Sequence, residues 1–174
     1  MTRRPGRRSV LARVAARFSS PRDVLLALRV FGWALVLPVL KHLVPVQSLA
    51  RIMHRPSRAQ ARDAVHEERI VTFARWGARL IRWKSGGNCL ERGLIAYRYL
   101  GEAGASPTLV VGLGHGDTGT LIGHAWVLLD GRPAGESASA VSVYTPVFAF
   151  APDGSLMPSI PPSIPPTASE QAHA

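Results

Sequence analysis

Cys89 is the only cysteine among the 174 residues, and its position suits a nucleophile. A single thiol can form neither an intramolecular disulfide nor a cysteine-rich metal site, so it is either an inert buried thiol or a nucleophile. Asn88 is a good helix N-cap and Glu91 completes a capping-box pattern, which makes Cys89 the first residue of a predicted helix. Because free N–H groups and the helix dipole stabilise a thiolate there, we expect Cys89 to be reactive.

His124 is the candidate general base for this thiol. It follows Cys89 by 35 residues, in the strand-like run TLIGHAWVLLDG, and an imidazole within reach takes the proton of a cysteine nucleophile. The backbone N–H of Cys89 is the expected oxyanion donor. Trp126 faces the same side of the strand as His124 and either shields the ion pair from water or is a core residue. Arg92, one helical turn after Cys89, is expected to bind a carboxylate rather than to act in catalysis.

Two carboxylates after His124 are candidates for the group that orients its imidazole. Asp130 lies six residues along the same strand, roughly 20 Å away at about 3.3 Å per residue, and its place before Gly131 is typical of a turn. Glu136 lies across the predicted hairpin. A two-residue Asp-Gly turn pairs residue 124 with 137, so direct pairing with Glu136 requires an odd-residue loop or a bulge. We expect Glu136 to complete a catalytic triad.

Charge divides the chain into two unlike halves. Residues 1–84 contain 18 Lys+Arg and 4 Asp+Glu, whereas residues 85–174 contain 3 and 7. The first 20 residues hold six arginines and no acidic residue, which is typical of a solvated tail or of a segment attracted to an anionic peptide or lipid surface. The sequence has no zinc-finger spacing or RNA-recognition signature, so nucleic acid is not expected as a partner.

The apolar stretch from Val24 to Val46 is long enough to cross a bilayer. Ser20 and Pro21 predict the start of a helix just before it. Arg29 lies inside the stretch and Pro38 interrupts it, and an arginine within a span costs on the order of 2.5–3.5 kcal/mol. We therefore expect two helical pieces around Pro38, buried or lying on a membrane surface rather than spanning it.

Periodicity and turn signals predict an α+β fold, with a helical N-terminal lobe followed by an antiparallel sheet packed on the Cys89 helix. The other predicted elements are helices at 47–55 and 58–83, strands at 108–113, 121–130 and 133–143, a glycine-rich loop at 112–119, and an edge strand at 144–150. The predicted organisation is a basic disordered tail (1–20), a helical lobe (21–84), a catalytic core (85–157) and a proline-rich disordered tail (158–174).

Four motifs carry a resemblance to a known family: N-C-L-E-R-G-L-I-A-Y-R-Y-L, G-A-S-P-T-L-V-V-G, G-H-A-W-V and D-G-R-P. At this spacing they resemble the transglutaminase-like proteases of lasso-peptide maturation, which are papain-like cysteine proteases that remove the leader from a ribosomal precursor peptide. The resemblance covers about residues 85–140, and more loosely the helices before them. It implies a Cys89–His124 dyad, with Glu136 standing where the family usually has Asp.

The same resemblance implies a cytoplasmic enzyme. The apolar stretch and the arginine-rich half add the expectation that it is peripheral to or anchored at the inner face of the membrane. The implied partners are the precursor peptide, a leader-recognition protein encoded as a separate chain and an ATP-dependent lasso cyclase, to which the arginine-rich half adds an anionic membrane surface. No cofactor or metal is expected. Two alternatives remain open: a catalytically silent scaffold or membrane-associated partner of a peptide-maturation complex, and a transglutaminase-type acyl transferase that uses the same dyad.

Overall fold

The structure, a computed structural model, describes residues 20–55, 61–80, 88–116 and 119–158. The arginine-rich segment before residue 20, the proline-rich segment after residue 158 and the predicted boundary between residues 84 and 85 lie outside these ranges. The helices are α1 (Pro21–Leu43), α2 (Val46–Met53), α3 (Ala64–Leu80), α4 (Cys89–Glu102) and α5 (Ala138–Val141). The strands are β1 (Thr108–His115), β2 (Leu121–Leu129), β3 (Arg132–Pro133) and β4 (Thr145–Phe150).

Helix α1 begins as the sequence predicts. The Ser20 hydroxyl accepts a hydrogen bond from the Asp23 backbone N–H, and the Asp23 carboxylate accepts one from the Ser20 N–H. The predicted break at Pro38 is wrong, because α1 runs through Pro38 as one helix. A proline inside a helix costs about 3 kcal/mol or more, but each fully buried Leu or Val returns about 1.5–3 kcal/mol. Helical geometry keeps one face of α1 on the core, at Leu26, Ala27, Val30, Ala34 and Leu37.

Helices α1 to α4 and the sheet share one apolar core. Helix α3 begins at Ala64 rather than at the predicted residue 58, since residues 61–63 are not helical. It packs against α1 and α4, and α4 packs in turn on β1 and β2. Side chains that are at most 2% exposed come from every layer of this core: Val30, Leu37, Leu49, Phe73, Leu94, Leu100, Leu109 and Val127. The sheet side of α4 is therefore fixed by burial, which positions the residue at its N-terminus.

The sheet is antiparallel and four-stranded, in the order β3-β2-β1-β4, which confirms the predicted α+β class. Strand β1 continues to His115, so the first half of the predicted glycine-rich loop is strand. Its residues pair with β2, and Gly112 lies opposite His124. Strand β4 pairs with the other edge of β1, as predicted for residues 144–150, with an irregularity between Val111 and Gly112.

The predicted third strand at 133–143 is wrong. Asp130 and Gly131 form a turn at the predicted position, with φ of 52° and 76°, and it is a two-residue turn, but β3 ends at Pro133. The chain then turns away and forms α5, whose N-cap Ser137 accepts a hydrogen bond from the Ala140 N–H. Strand pairing on this side of β2 therefore stops well before His124.

Candidate active site

Cys89 is the first residue of α4, as predicted, and its thiol is partly exposed. The predicted capping box is wrong. The Asn88 side chain donates its hydrogen bond to the Ala78 carbonyl in the last turn of α3, and Glu91 pairs with Lys41 at 2.7 Å. Asn88 thus ties the end of one helix to the start of the next, and its carbonyl still accepts the first α4 hydrogen bond, from Arg92. This tertiary tie fixes the backbone that carries Cys89.

The structure brings His124 onto Cys89. The imidazole lies near the middle of β2 and forms a hydrogen bond with the Cys89 thiol. The Cys89 sulfur also lies 3.9 Å from the carbonyl oxygen of Gly123, the residue before His124. Packing of α4 across β1 and β2 produces this contact, so a helix N-terminus and a strand meet at one thiol.

Glu136 completes the constellation without pairing in the sheet. Its carboxylate lies 2.8 Å from His124 Nε2, although a regular hairpin would place residue 137 opposite His124. The chain leaves the ladder at Gly135, which adopts φ 78°. A Cβ atom at Gly135 would lie 2.3 Å from the Val71 side chain, so only glycine allows this approach to α3. A turn packed on a helix, rather than a bulge in a strand, places the carboxylate.

Arg92 holds the second oxygen of the same carboxylate. Its guanidinium donates to Glu136 Oε1 at 2.7 Å, while His124 engages Oε2. The predicted carboxylate partner of Arg92 is therefore Glu136. Asp130 lies in the turn, as predicted, and both of its carboxylate oxygens accept hydrogen bonds from Arg62 at 2.9 Å.

Two aromatic rings flank the imidazole. The Tyr144 ring stacks on His124 at 4.6 Å between centroids, and the Trp126 ring lies 5.8 Å from His124 and is 1% exposed. Gly112, opposite His124, makes room for the indole, since a Cβ atom there would lie 2.9 Å from Trp126. The sequence gives no signal for Tyr144, which reaches His124 only because β4 pairs with β1. Together the rings restrict the orientation of the imidazole.

Electrostatics favours an ion pair between thiolate and imidazolium. Burial raises the pKa of the Cys89 thiol, but the hydrogen bond to His124 and the charges of His124 and Arg92 outweigh it, so the pKa is lowered. Hydrogen bonds to Cys89 and Glu136 raise the pKa of His124 to about 9. Burial likewise raises the pKa of Glu136, yet its bond to His124 and the charge of Arg92 bring that pKa below its ordinary value. These shifts all favour a thiolate–imidazolium pair held beside a carboxylate.

A cleft of about 550 Å³ lies between α1, α3 and the end of α4 that is remote from Cys89. Its charged walls include two ion pairs, Arg29 with Glu102 and Arg69 with Asp23. Within the described ranges, no group of three or more His, Cys, Asp or Glu side chains is arranged to hold a metal ion. Cys89, His124 and Glu136 form the chemically distinctive cluster of the described residues.

Comparison with known proteins agrees with this geometry. No curated protein and no solved structure matches the chain. A sequence model of the Transglutaminase-like superfamily matches residues 26–149, from the first turns of α1 to the end of β4. This match covers well over half of the chain and includes Cys89, His124 and Glu136, and it indicates cysteine peptidase or acyltransferase chemistry. The chain therefore belongs to the Transglutaminase-like superfamily.

Proposed function

We propose that this protein is a cysteine peptidase that removes the leader from a ribosomally made precursor peptide in lasso-peptide maturation. The observation that carries the proposal is the chain of contacts from the Cys89 thiol through His124 to Glu136, placed at a helix N-terminus. The motifs around Cys89 and His124 support the substrate class, because they resemble the leader peptidases of that pathway. The proposed setting is the cytoplasm, with a separate leader-recognition protein and an ATP-dependent cyclase as partners.

The proposed reaction proceeds in two stages. The Cys89 thiolate attacks the carbonyl carbon of the scissile peptide bond, and the backbone N–H of Cys89 stabilises the oxyanion. The His124 imidazolium donates its proton to the leaving amine as the C–N bond breaks, which releases the core peptide with a free N-terminus and leaves the leader as a thioester. Neutral His124 then takes a proton from water, whose oxygen attacks the thioester, and the leader departs as a carboxylate.

Glu136 and Arg92 act on this reaction through His124. The Glu136 carboxylate accepts the Nε2–H of the imidazole, which directs Nδ1 to the thiol and stabilises the imidazolium charge. Arg92 occupies the other carboxylate oxygen and so prevents the side chain from turning away. Both are positioning residues in the proposed mechanism.

Product analysis tests the proposal and separates hydrolysis from acyl transfer. The protein is incubated with its precursor peptide and the leader-recognition protein in water enriched in oxygen-18, and the products are weighed by mass spectrometry. We expect the released leader to carry one heavy oxygen atom in its new carboxylate, because water resolves the thioester. A product in which the leader is joined to an added amine, with no hydrolysed leader, would instead establish a transglutaminase-type acyl transferase.

The activity should depend on pH in the manner of a thiolate–imidazolium pair. Protonation of Cys89 removes the nucleophile in acid, and loss of the imidazolium proton above about pH 9 leaves no acid for the departing amine. We expect a bell-shaped profile of kcat/KM whose acid limb lies below the ordinary thiol pKa of about 8.5. The pKa values of the two limbs describe the coupled Cys89–His124 pair rather than either residue alone. A single rise near pH 8.5, with no alkaline decline, would contradict a preformed ion pair.

A further inference from the structure

Helix α1 turns three charged side chains towards the protein, while one of its two apolar faces points to solvent. Asp23 pairs with Arg69 of α3, Arg29 with Glu102 of α4, and Lys41 with Glu91 of α4. A surface helix of a globular protein normally shows the opposite arrangement, with its polar face outward. The outward face of α1 therefore needs a separate explanation.

This outward face is a continuous row of aliphatic side chains, here named the apolar stripe. Its members are between 45% and 74% exposed: Val24, Leu25, Leu28, Leu35, Val36, Val39 and Leu43. At about 100° per residue they fall within a sector of roughly 120° and extend for about 28 Å along the helix axis. No Asp, Glu, Lys or Arg of α1 lies in that sector, and exposed His42 lies at its edge, in line with Val24. Gly32, near the centre of the sector, has no neighbouring side chain within 4 Å.

The size of the apolar stripe exceeds what isolated surface residues account for. Single exposed apolar side chains are common, but contiguous patches of about 300–600 Å² usually mark an interaction surface. Seven side chains that are about half exposed or more, in one row, make a patch of at least that class. The patch is therefore a surface on which something apolar is expected to lie.

The surrounding charge identifies that partner as an anionic lipid surface. Residues 1–19, directly before α1, contain six arginines and no acidic residue. Exposed Arg22 lies in the first turn of α1, and exposed Arg51 and Arg55 follow its C-terminal end. Each such cation near an anionic membrane contributes about 1 kcal/mol to binding. A second copy of this chain fits less well, because each copy has a net charge of +10 and two copies repel one another.

The opposite face of α1 excludes a transmembrane arrangement of this fold. Within the described ranges α1 is the one helix whose length and composition would allow it to cross a membrane. A third of its most apolar 18-residue segment is buried in the protein. Val30 and Leu37 are fully buried in the core, and Arg29 bonds to Glu102 through both guanidinium nitrogens. Crossing a bilayer would remove these contacts and place Arg29 in lipid.

We propose that α1 lies in the plane of an anionic membrane surface, with the apolar stripe in the boundary between headgroups and acyl chains. The aliphatic side chains supply the apolar contact and the neighbouring arginines bind the anionic headgroups. The inner face of α1 remains packed on α3 and α4. This arrangement docks the whole folded unit on the bilayer and does not depend on the peptidase reaction.

Vesicle co-sedimentation of the full chain tests the proposal, with phosphatidylcholine vesicles compared with vesicles that also contain phosphatidylglycerol. The stripe variant is Leu28→Gln/Val36→Gln/Val39→Gln. Its matched control, Val65→Gln/Val147→Gln/Leu156→Gln, changes the same residue types at exposed positions outside α1. We expect the wild type and the control to sediment with the anionic vesicles, and the stripe variant to lose about tenfold or more in affinity.

Salt and tail charge provide the second arm. Replacement of the six tail arginines by glutamine should weaken binding to the anionic vesicles and flatten its salt dependence. Salt weakens the attraction of arginine to anionic lipid because the Debye screening length falls to about 8 Å at physiological ionic strength. Equal sedimentation of the stripe variant and the wild type would overturn the proposal. So would a wild type that fails to bind anionic vesicles, a wild-type dimer that the stripe substitutions dissociate, or bound protein that only detergent extracts.

Discussion

Replacement of Cys89 by alanine is expected to lower the rate of leader removal by a factor on the order of 10⁶ in kcat. The thiolate forms the bond to the substrate carbonyl, and no other side chain in this chain replaces it, because Cys89 is the only cysteine. The fold should survive, since the thiol is partly exposed at the start of α4 and the substitution retains a good helix former. Mass spectrometry of the precursor reaction measures the rate, and thermal unfolding of the variant checks the fold.

Alkylation of the wild-type chain provides an independent control for this result. Iodoacetamide reacts with thiolates, so a lowered pKa at Cys89 predicts rapid labelling at a pH where an ordinary thiol is mostly protonated. Since the chain has one cysteine, each modification reports on that residue alone. Labelled protein should lose leader removal in proportion to the modified fraction. Full activity of Cys89→Ala, or of fully alkylated protein, would end the peptidase proposal.

Local sequence rules correctly predicted the secondary-structure elements that carry Cys89 and His124. Cys89 begins a helix and His124 lies on a strand, as predicted, because helical periodicity and strand composition act over a few residues. The same rules failed at Asn88, where a local capping box competes with the Ala78 carbonyl of another helix. They failed again at Pro38, where burial of one helix face exceeds the local cost of proline.

The hairpin register of β2 and β3 alone does not predict the contact between Glu136 and His124. The Asp-Gly turn indeed pairs Leu129 with Arg132, which is the register that would put residue 137 opposite His124. Glu136 nevertheless reaches Nε2, because the chain leaves the ladder at Gly135 and packs against Val71. Tyr144 reaches the imidazole by a similarly long-range route, the pairing of β4 with β1. Contacts of this kind depend on the assembled sheet and helices rather than on neighbouring residues.

Glu136→Gln is expected to lower kcat by about 10³- to 10⁴-fold while preserving the shape of the side chain. The amide offers one oxygen where the carboxylate offers two, and both oxygens are in use, by Arg92 and by His124 Nε2. If the amide oxygen faces Arg92, its NH₂ faces His124 and the imidazole must carry its proton on Nδ1. That tautomer cannot accept the thiol proton at Nδ1. The variant also lacks the negative charge that stabilises the imidazolium. If the amide turns round, two donors meet at Arg92.

Three measurements distinguish this role from a structural one. The alkaline limb of the pH profile should move below about pH 9 in Glu136→Gln, since the bond to Glu136 is one of the contacts that raise the pKa of His124. Glu136→Asp should recover most of the lost activity, because a carboxylate is restored. Arg92→Gln leaves the His124–Glu136 bond in place and should cost only about tenfold. An unchanged pH profile in Glu136→Gln, with a loss no larger than that of Arg92→Gln, would show that Glu136 supports the fold rather than the imidazole.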